Sequence, residues 1–461
     1  MQTMPSPLRT LAWVACVFAF CVIVFGAFVR LSNAGLSCPD WPTCYGRITW
    51  PVQPAAVAKA DQAFPQRPVE TRKAWREQSH RFLAGTLGLL VLAEALAAVY
   101  ATKRRLGLVV TAVVLIGIGI PLYMARHYMA SSVVAALGEA LLLGVVIFWR
   151  DAGWRRIAVL ALAVVCFQAL LGMWTVTWLL KPIVVTGHLL GGMATFALLT
   201  WVAWRLSLSP LPSGERAISA VKAEMAGEGE TRRLRDAGGI TRRVERVAMD
   251  GHTGAPHQGR LLASTEPSPQ RCALGATRRL SRRERGLYSA TAVGLILLAC
   301  QICLGGWTSS NYAALACGIG GSAFPTCLGQ WWPAMDFHQG FVLWRGIGVD
   351  YQGGILDAAA RTAIQMTHRF GALVVFVYLM WLAHKVGRAG MRRHALALVL
   401  LLLAQIALGI GNVVLGLPLP VAVAHNGGAA LLLFTLVALL VRSSLIAASP
   451  EVAASVDTVK S

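Results

Sequence analysis

The sequence predicts an all-α polytopic membrane protein: two parallel-repeated four-helix bundles plus an inserted transmembrane hairpin, about ten spans in all. Three observations predict it. The 461-residue chain is 56% hydrophobic and only 14% charged, which places it with multi-span membrane proteins rather than soluble multidomain ones. Apolar runs of the roughly 20 residues needed to cross a bilayer recur along it. Two phrases also occur twice. Glu77-Gln78-Ser79-His80-Arg81-Phe82 matches Gln365-Met366-Thr367-His368-Arg369-Phe370, and Gln168, twenty residues before His188, matches Gln405, twenty before His425.

Taken in order, Met1 to Thr10 holds one arginine, and no small-residue cleavage site follows the first apolar run. The start therefore reads as an uncleaved first span rather than a signal peptide. Spans are expected near 11–30, 81–100, 106–124, 131–149, 157–178 and 183–204, then near 287–306, 369–386, 394–415 and 421–442. Between the two groups, residues 206–286 mix Gly, Ser, Glu and Arg without periodicity and read as a basic, poorly ordered cytoplasmic connector. The expected domains are thus 1–205, with the hairpin at about 106–149, the connector 206–286, a second half 287–445 and a cytoplasmic tail 446–461.

The net charge of +21 follows topology. Lys103-Arg104-Arg105, Arg150 with Arg155-Arg156, the connector and Lys385 to Arg393 lie in loops that alternate with less basic ones. The positive-inside rule makes the basic set, and both termini, cytoplasmic. This reading leaves nucleic acid without a role and makes the lipid bilayer the main partner. Loops 31–79 and 307–366 are then outside.

That orientation puts His80 and His368 at the outer mouths of their helices. His188 and His425 lie about 7 Å inside theirs at 1.5 Å per residue, so all four share the outer leaflet. A single intramembrane histidine reads as a buried, hydrogen-bonded polar group. Four, duplicated and level, read as axial ligands for haem iron. His80 to His188 spans 108 residues and His368 to His425 only 57, and the two helices of the hairpin account for the excess. Gly187, Gly191-Gly192 and Gly427-Gly428 would let a flat macrocycle approach. Arg81 and Arg369, beside ligands at the water boundary, are placed to meet haem propionates. Glu77 and Gln365 stand three residues before His80 and His368, on the same helical face. A carboxylate at one site and an amide at the other assign acid–base or redox chemistry to the first half alone.

Each outer loop carries a cysteine pair, Cys38 with Cys44 and Cys317 with Cys327, each second cysteine within Pro-Thr-Cys-x-Gly. Outside the cytoplasm these are expected as disulfides. Cys300-x-x-Cys303 lies within a span and reads as apolar packing. Glu139 and His127 of the hairpin read as peripheral contacts. His252 and His257, in the connector without a nearby cysteine pair, do not make a metal site.

Arg30-Leu31-Ser32-Asn33-Ala34-Gly35-Leu36-Ser37, Glu77-x-x-His80-Arg81, the three other histidines and the loop cysteines together make the chain resemble the haem A synthase family. These membrane enzymes finish the haem of cytochrome oxidases. The resemblance covers nearly the whole chain. It implies oxidation of the ring methyl of haem O to a formyl group by successive hydroxylations, giving haem A for cytochrome oxidase assembly. By motif, His80 and His188 would bracket haem O with Glu77 as catalytic carboxylate, and His368 and His425 would bind a resident haem b. Cys38 and Cys44 match the family's loop pair. The setting implied is a bacterial inner (plasma) membrane, with an electron donor that the sequence does not identify. The hairpin and the long connector depart from the family's simple pattern. Whether they recruit the haem O-forming enzyme or an oxidase assembly factor stays open. The main rival is a di-haem membrane electron carrier of the quinol-oxidising cytochrome b type, against which the Glu77/Gln365 difference argues.

Overall fold

The computed structural model describes residues 6–149, 153–208 and 282–446. Among these, ten helices are long and apolar enough to cross a membrane, and no strand forms. The protein is an all-α polytopic membrane protein. The connector, with His252 and His257, and the tail after Ile446 lie outside the described residues.

The first half begins with α1 (Ser6–Leu31). A short outer helix, α2 (Pro54–Ala63), leads to α3 (Thr71–Val99). The hairpin is α4 (Lys103–Met124) and α5 (Tyr128–Ile147), followed by α6 (Trp154–Thr177) and α7 (Pro182–Leu208). The second half is α8 (Arg282–Ser310), α9 (Ala358–Arg388), α10 (Arg392–Val414) and α11 (Leu419–Ile446). The connector is therefore shorter at both ends than the expected 206–286.

Packing partners reproduce the repeat. In the first half α1 touches α3 and α7, and α6 touches α3 and α7. In the second, α8 touches α9 and α11, and α10 touches α9 and α11. The halves meet through α1 with α11, α7 with α8, and α7 with α11, the pattern of a pseudo-twofold. The hairpin lies outside this ring, α5 on α6 and α4 on α3. Its two helices approach closely because Gly138 faces the Ala112 carbonyl, where a methyl would stand 2.6 Å away.

Lipid tails are as apolar as leucine, so close packing and interhelical hydrogen bonds hold such bundles. Small residues supply the approach: Ala12, Ala15 and Ala19 of α1 and Ala95 of α3 are at most 1% exposed. Thr186 of α7 and Ser310 of α8 hydrogen-bond across the seam at 3.1 Å. The repeat reaches the backbone. The outer turns after α6 and α10 pass through left-handed residues, Leu179 and Leu180 (φ 49° and 59°) and Gly416 and Leu417 (φ 72° and 62°).

The helices of His80 and His368, α3 and α9, start about ten residues before the expected spans. At 29 and 31 residues, α3 and α9 are roughly 43 and 46 Å long, against an apolar core of about 30 Å. Their polar first turns carry Glu77 and Gln365, which hydropathy reads as loop. These turns are helical because they pack beneath the disulfide loops, and α9 is also capped, with Asp357 accepting from the Ala360 N–H at 2.7 Å. His80 and His368 accordingly sit about two and a half turns inside their helices rather than at the mouths.

Candidate functional site

Each bundle brings two histidines together: His80 of α3 with His188 of α7, and His368 of α9 with His425 of α11. Each pair lies within electrostatic range. All four side chains are half-buried. The Nδ1 atoms of His80, His188 and His425 are buried without a hydrogen-bond partner. An imidazole held this way presents Nε2 to whatever lies between the helices. Among the described residues no group of three or more His, Cys, Asp or Glu side chains comes together. The donor set is therefore two imidazoles per bundle.

Every one of these rings lies against a glycine of the neighbouring helix. A methyl on Gly26, Gly172, Gly305 or Gly409 would stand 2.8, 3.1, 3.2 or 3.1 Å from Cε1 of His80, His188, His368 or His425, respectively. Sequence reasoning chose other glycines. Of those, Gly191 and Gly428 instead accommodate the heads of Gln168 and Gln405, and Gly427 packs on Val24. Three of the four ring-facing glycines carry a sequence signal, the spacing Gln-x-x-x-Gly at 168/172, 301/305 and 405/409; Gly26 carries none.

Glu77 is 4% exposed and fully engaged. Its Oε1 accepts from Arg81 Nη2 at 2.6 Å, and its Oε2 from the Cys38 N–H at 2.9 Å and Ser37 Oγ at 3.1 Å. In the second half Gln365 is equally buried, and its Oε1 has no partner. Both expected disulfides form, Cys38–Cys44 and Cys317–Cys327. The arginines after the histidines tie these loops down. Arg81 Nη1 donates to the carbonyls of Asp40 (2.8 Å) and Thr43 (2.6 Å). Arg369 donates to those of Ala323 (2.7 Å) and Thr326 (3.0 Å).

The remaining flagged residues lie elsewhere. Glu139 lines a cleft of about 360 Å³ with Phe167 between α5 and α6, and His127 is exposed at the start of α5. Cys300 and Cys303 are free thiols within α8.

The chain matches the model of a family described as cytochrome oxidase assembly protein over residues 9–121, 123–230 and 261–437. It is 33% identical over 425 residues to Heme A synthase of Shewanella oneidensis, covering 91% of this chain and 92% of that protein. It is also 33% identical over 156 residues to Heme A synthase of Sphingopyxis alaskensis, covering 33% of this chain and 39% of that relative. An internal duplication with paired histidines, a buried carboxylate in one half and two loop disulfides thus coincides with family similarity along most of the sequence, and the chain belongs to the COX15-CtaA family of cytochrome oxidase assembly proteins.

Proposed function

We propose that this protein is a haem A synthase, an oxidoreductase that converts haem O to haem A in a bacterial cytoplasmic membrane, with both termini cytoplasmic. The first half takes the substrate haem between His80 and His188, and the second holds haem b between His368 and His425. The observation that carries this division is the buried carboxylate of Glu77 at a position where the other half has Gln365.

The residues fit such groups. Two imidazoles per bundle would hold a haem iron, and the facing glycines leave each histidine ring a seat against the neighbouring helix. When bound, the substrate haem supplies the iron chemistry by which its own methyl group is oxidised. Glu77 holds a fixed negative charge on the His80 face of α3, kept in place by Arg81 and by the Cys38 N–H. Ser37 Oγ has one hydrogen and two acceptors, Ala34 O and Glu77 Oε2, so it can donate to the carboxylate or to the loop carbonyl but not to both at once. A haem propionate at Arg369 would be met by the N–H groups left over from its loop bonds, whereas at Arg81 only Nε–H is left. An isoprenoid tail on the substrate would lie in lipid between helices. The electron donor, the haem O-forming enzyme and oxidase assembly factors are the partners this activity calls for.

The test is pigment analysis of the purified protein and its Glu77→Gln variant. Wild type is expected to yield haem b together with haem O and its hydroxylated and formyl products. The variant is expected to accumulate haem O, with haem A at least about a hundredfold lower, the low end for loss of one acid–base group. Two equivalents of haem b in both proteins, and nothing else, would instead make the chain a di-haem electron carrier.

A further inference from the structure

Three of the four histidines share a brace that the fourth lacks. Gln168, Gln301 and Gln405 each stand four residues before the glycine under the histidine ring. Their Nε2 atoms donate to the main-chain carbonyls of His188 (2.5 Å), His368 (2.9 Å) and His425 (2.9 Å). Gln301 Nε2 is also 3.0 Å from Nδ1 of His368. Each glutamine head occupies the space above the glycine three residues after its histidine, so a methyl on Gly191, Gly371 or Gly428 would overlap Oε1. The brace therefore needs two residues at once, Gln on one helix and Gly on the next. At His80 both are replaced. Val22 stands four residues before Gly26, and Leu83 three after His80, both packed into the apolar core. The His80 ring still lies over Gly26 and stacks on Phe25, with centroids 6.3 Å apart. No side chain of α1 hydrogen-bonds to its segment of α3.

We infer that His80 is the displaceable ligand of the first-half haem, and that Val22 and Leu83 make it so by leaving it without the glutamine brace that holds the other three histidines. This rests on the function proposed above. Two fixed imidazoles would close both axial positions of an iron, while oxidation at that haem needs one position open to dioxygen. The step is a ligand dissociation. The bond between His80 Nε2 and iron breaks, the electron pair stays on nitrogen, and no proton or electron is transferred. The displaced ring would be on the side where Glu77 stands, three residues earlier on the same face. The second half, braced at both histidines, keeps a closed iron suited to electron transfer.

Carbon monoxide binding to the reduced, haem-loaded protein reads this directly, without turnover. Wild type is expected to bind one carbon monoxide per first-half haem and none at the second. Val22→Gln/Leu83→Gly installs the brace and is expected to lower binding at the first haem at least tenfold with haem content unchanged. Gln301→Val removes a brace and is expected to make the second haem reactive. Unchanged binding in the double variant at full haem content overturns the inference. So does a second haem that stays inert in Gln301→Val, which decides the matter if the double variant does not accumulate. Pigment analysis of the same samples reports separately on the proposed function: two haems b with the expected shifts would sink the synthase and leave the brace standing.

Discussion

A glycine under a ligand ring acts as a distance gauge, because the side chain it lacks would push the imidazole away from its partner. Gly26 is the tightest of the four, with a methyl only 2.8 Å from His80 Cε1. Gly26→Ala is expected to cost about 10²-fold in turnover, the scale of a misplacement near 1 Å. The spectrum of the second-half haem should stay unchanged. A variant with wild-type haem O conversion would show that the ring has room to spare. The Gln-x-x-x-Gly pairs of the other three sites were visible in the sequence, but their meaning was not. Spacing says that two residues share a helical face and cannot say which neighbouring helix that face meets.

The elements that carry His80 and Glu77 and the loops packed on them form one unit. Glu77 and Arg81 of α3 bind the Cys38–Cys44 loop, and Tyr45 within that loop donates to the carbonyls of Arg67 (3.1 Å) and Pro68 (3.3 Å). Burial pushes the Tyr45 phenol up to about 12 from its usual 10. A raised folded value in an acid means stability that is full below the unfolded pKa and lost as pH climbs through the folded one. The loop is therefore expected to loosen between about pH 10 and pH 12. Limited proteolysis of the 45–70 segment should show this, and Tyr45→Phe should shift the transition. No change across that window would mean that the phenol does not hold the loop. The disulfides were legible from the repeated cysteine pairs. The outward turns of α3 and α9 were not, because hydropathy stops where residues become polar while a helix stops only where its backbone loses partners.

The two halves are joined along a seam of small residues and through the outer loops. On the outer side Arg30 donates to the Ser309 carbonyl (2.9 Å) and lies over the Tyr312 ring at 4.6 Å. The Tyr351 N–H reaches the Leu179 carbonyl at 3.1 Å, and Lys181, 1% exposed, sits 3.3 Å from the Trp344 ring centroid. The Arg67–Asp350 ion pair, at 2.7 Å, is half exposed on its acidic side and contributes roughly 0–1 kcal/mol. Within the membrane Gly306 of α8 meets Leu189 and Thr186 of α7, with room of only 3.0 and 3.2 Å for a methyl. Gly306→Leu is expected to cost about 1–3 kcal/mol by overpacking, and Arg67→Ala under about 1 kcal/mol. Thermal unfolding in detergent, followed by haem release, would rank them, and the opposite order would place the joint in the loops.

The sequence by itself determined the membrane class, the duplication, the loop disulfides and the pairing of the four histidines, because each is written in composition or in a repeated spacing. Helix periodicity and flanking charge act locally, so they survive without coordinates. Only the tertiary structure decided which glycines seat the rings, how deep the histidines stand, what Glu77 and Arg81 hold, and that His80 alone goes unbraced. Those are contacts between helices far apart in the chain, and packing, not periodicity, chooses them.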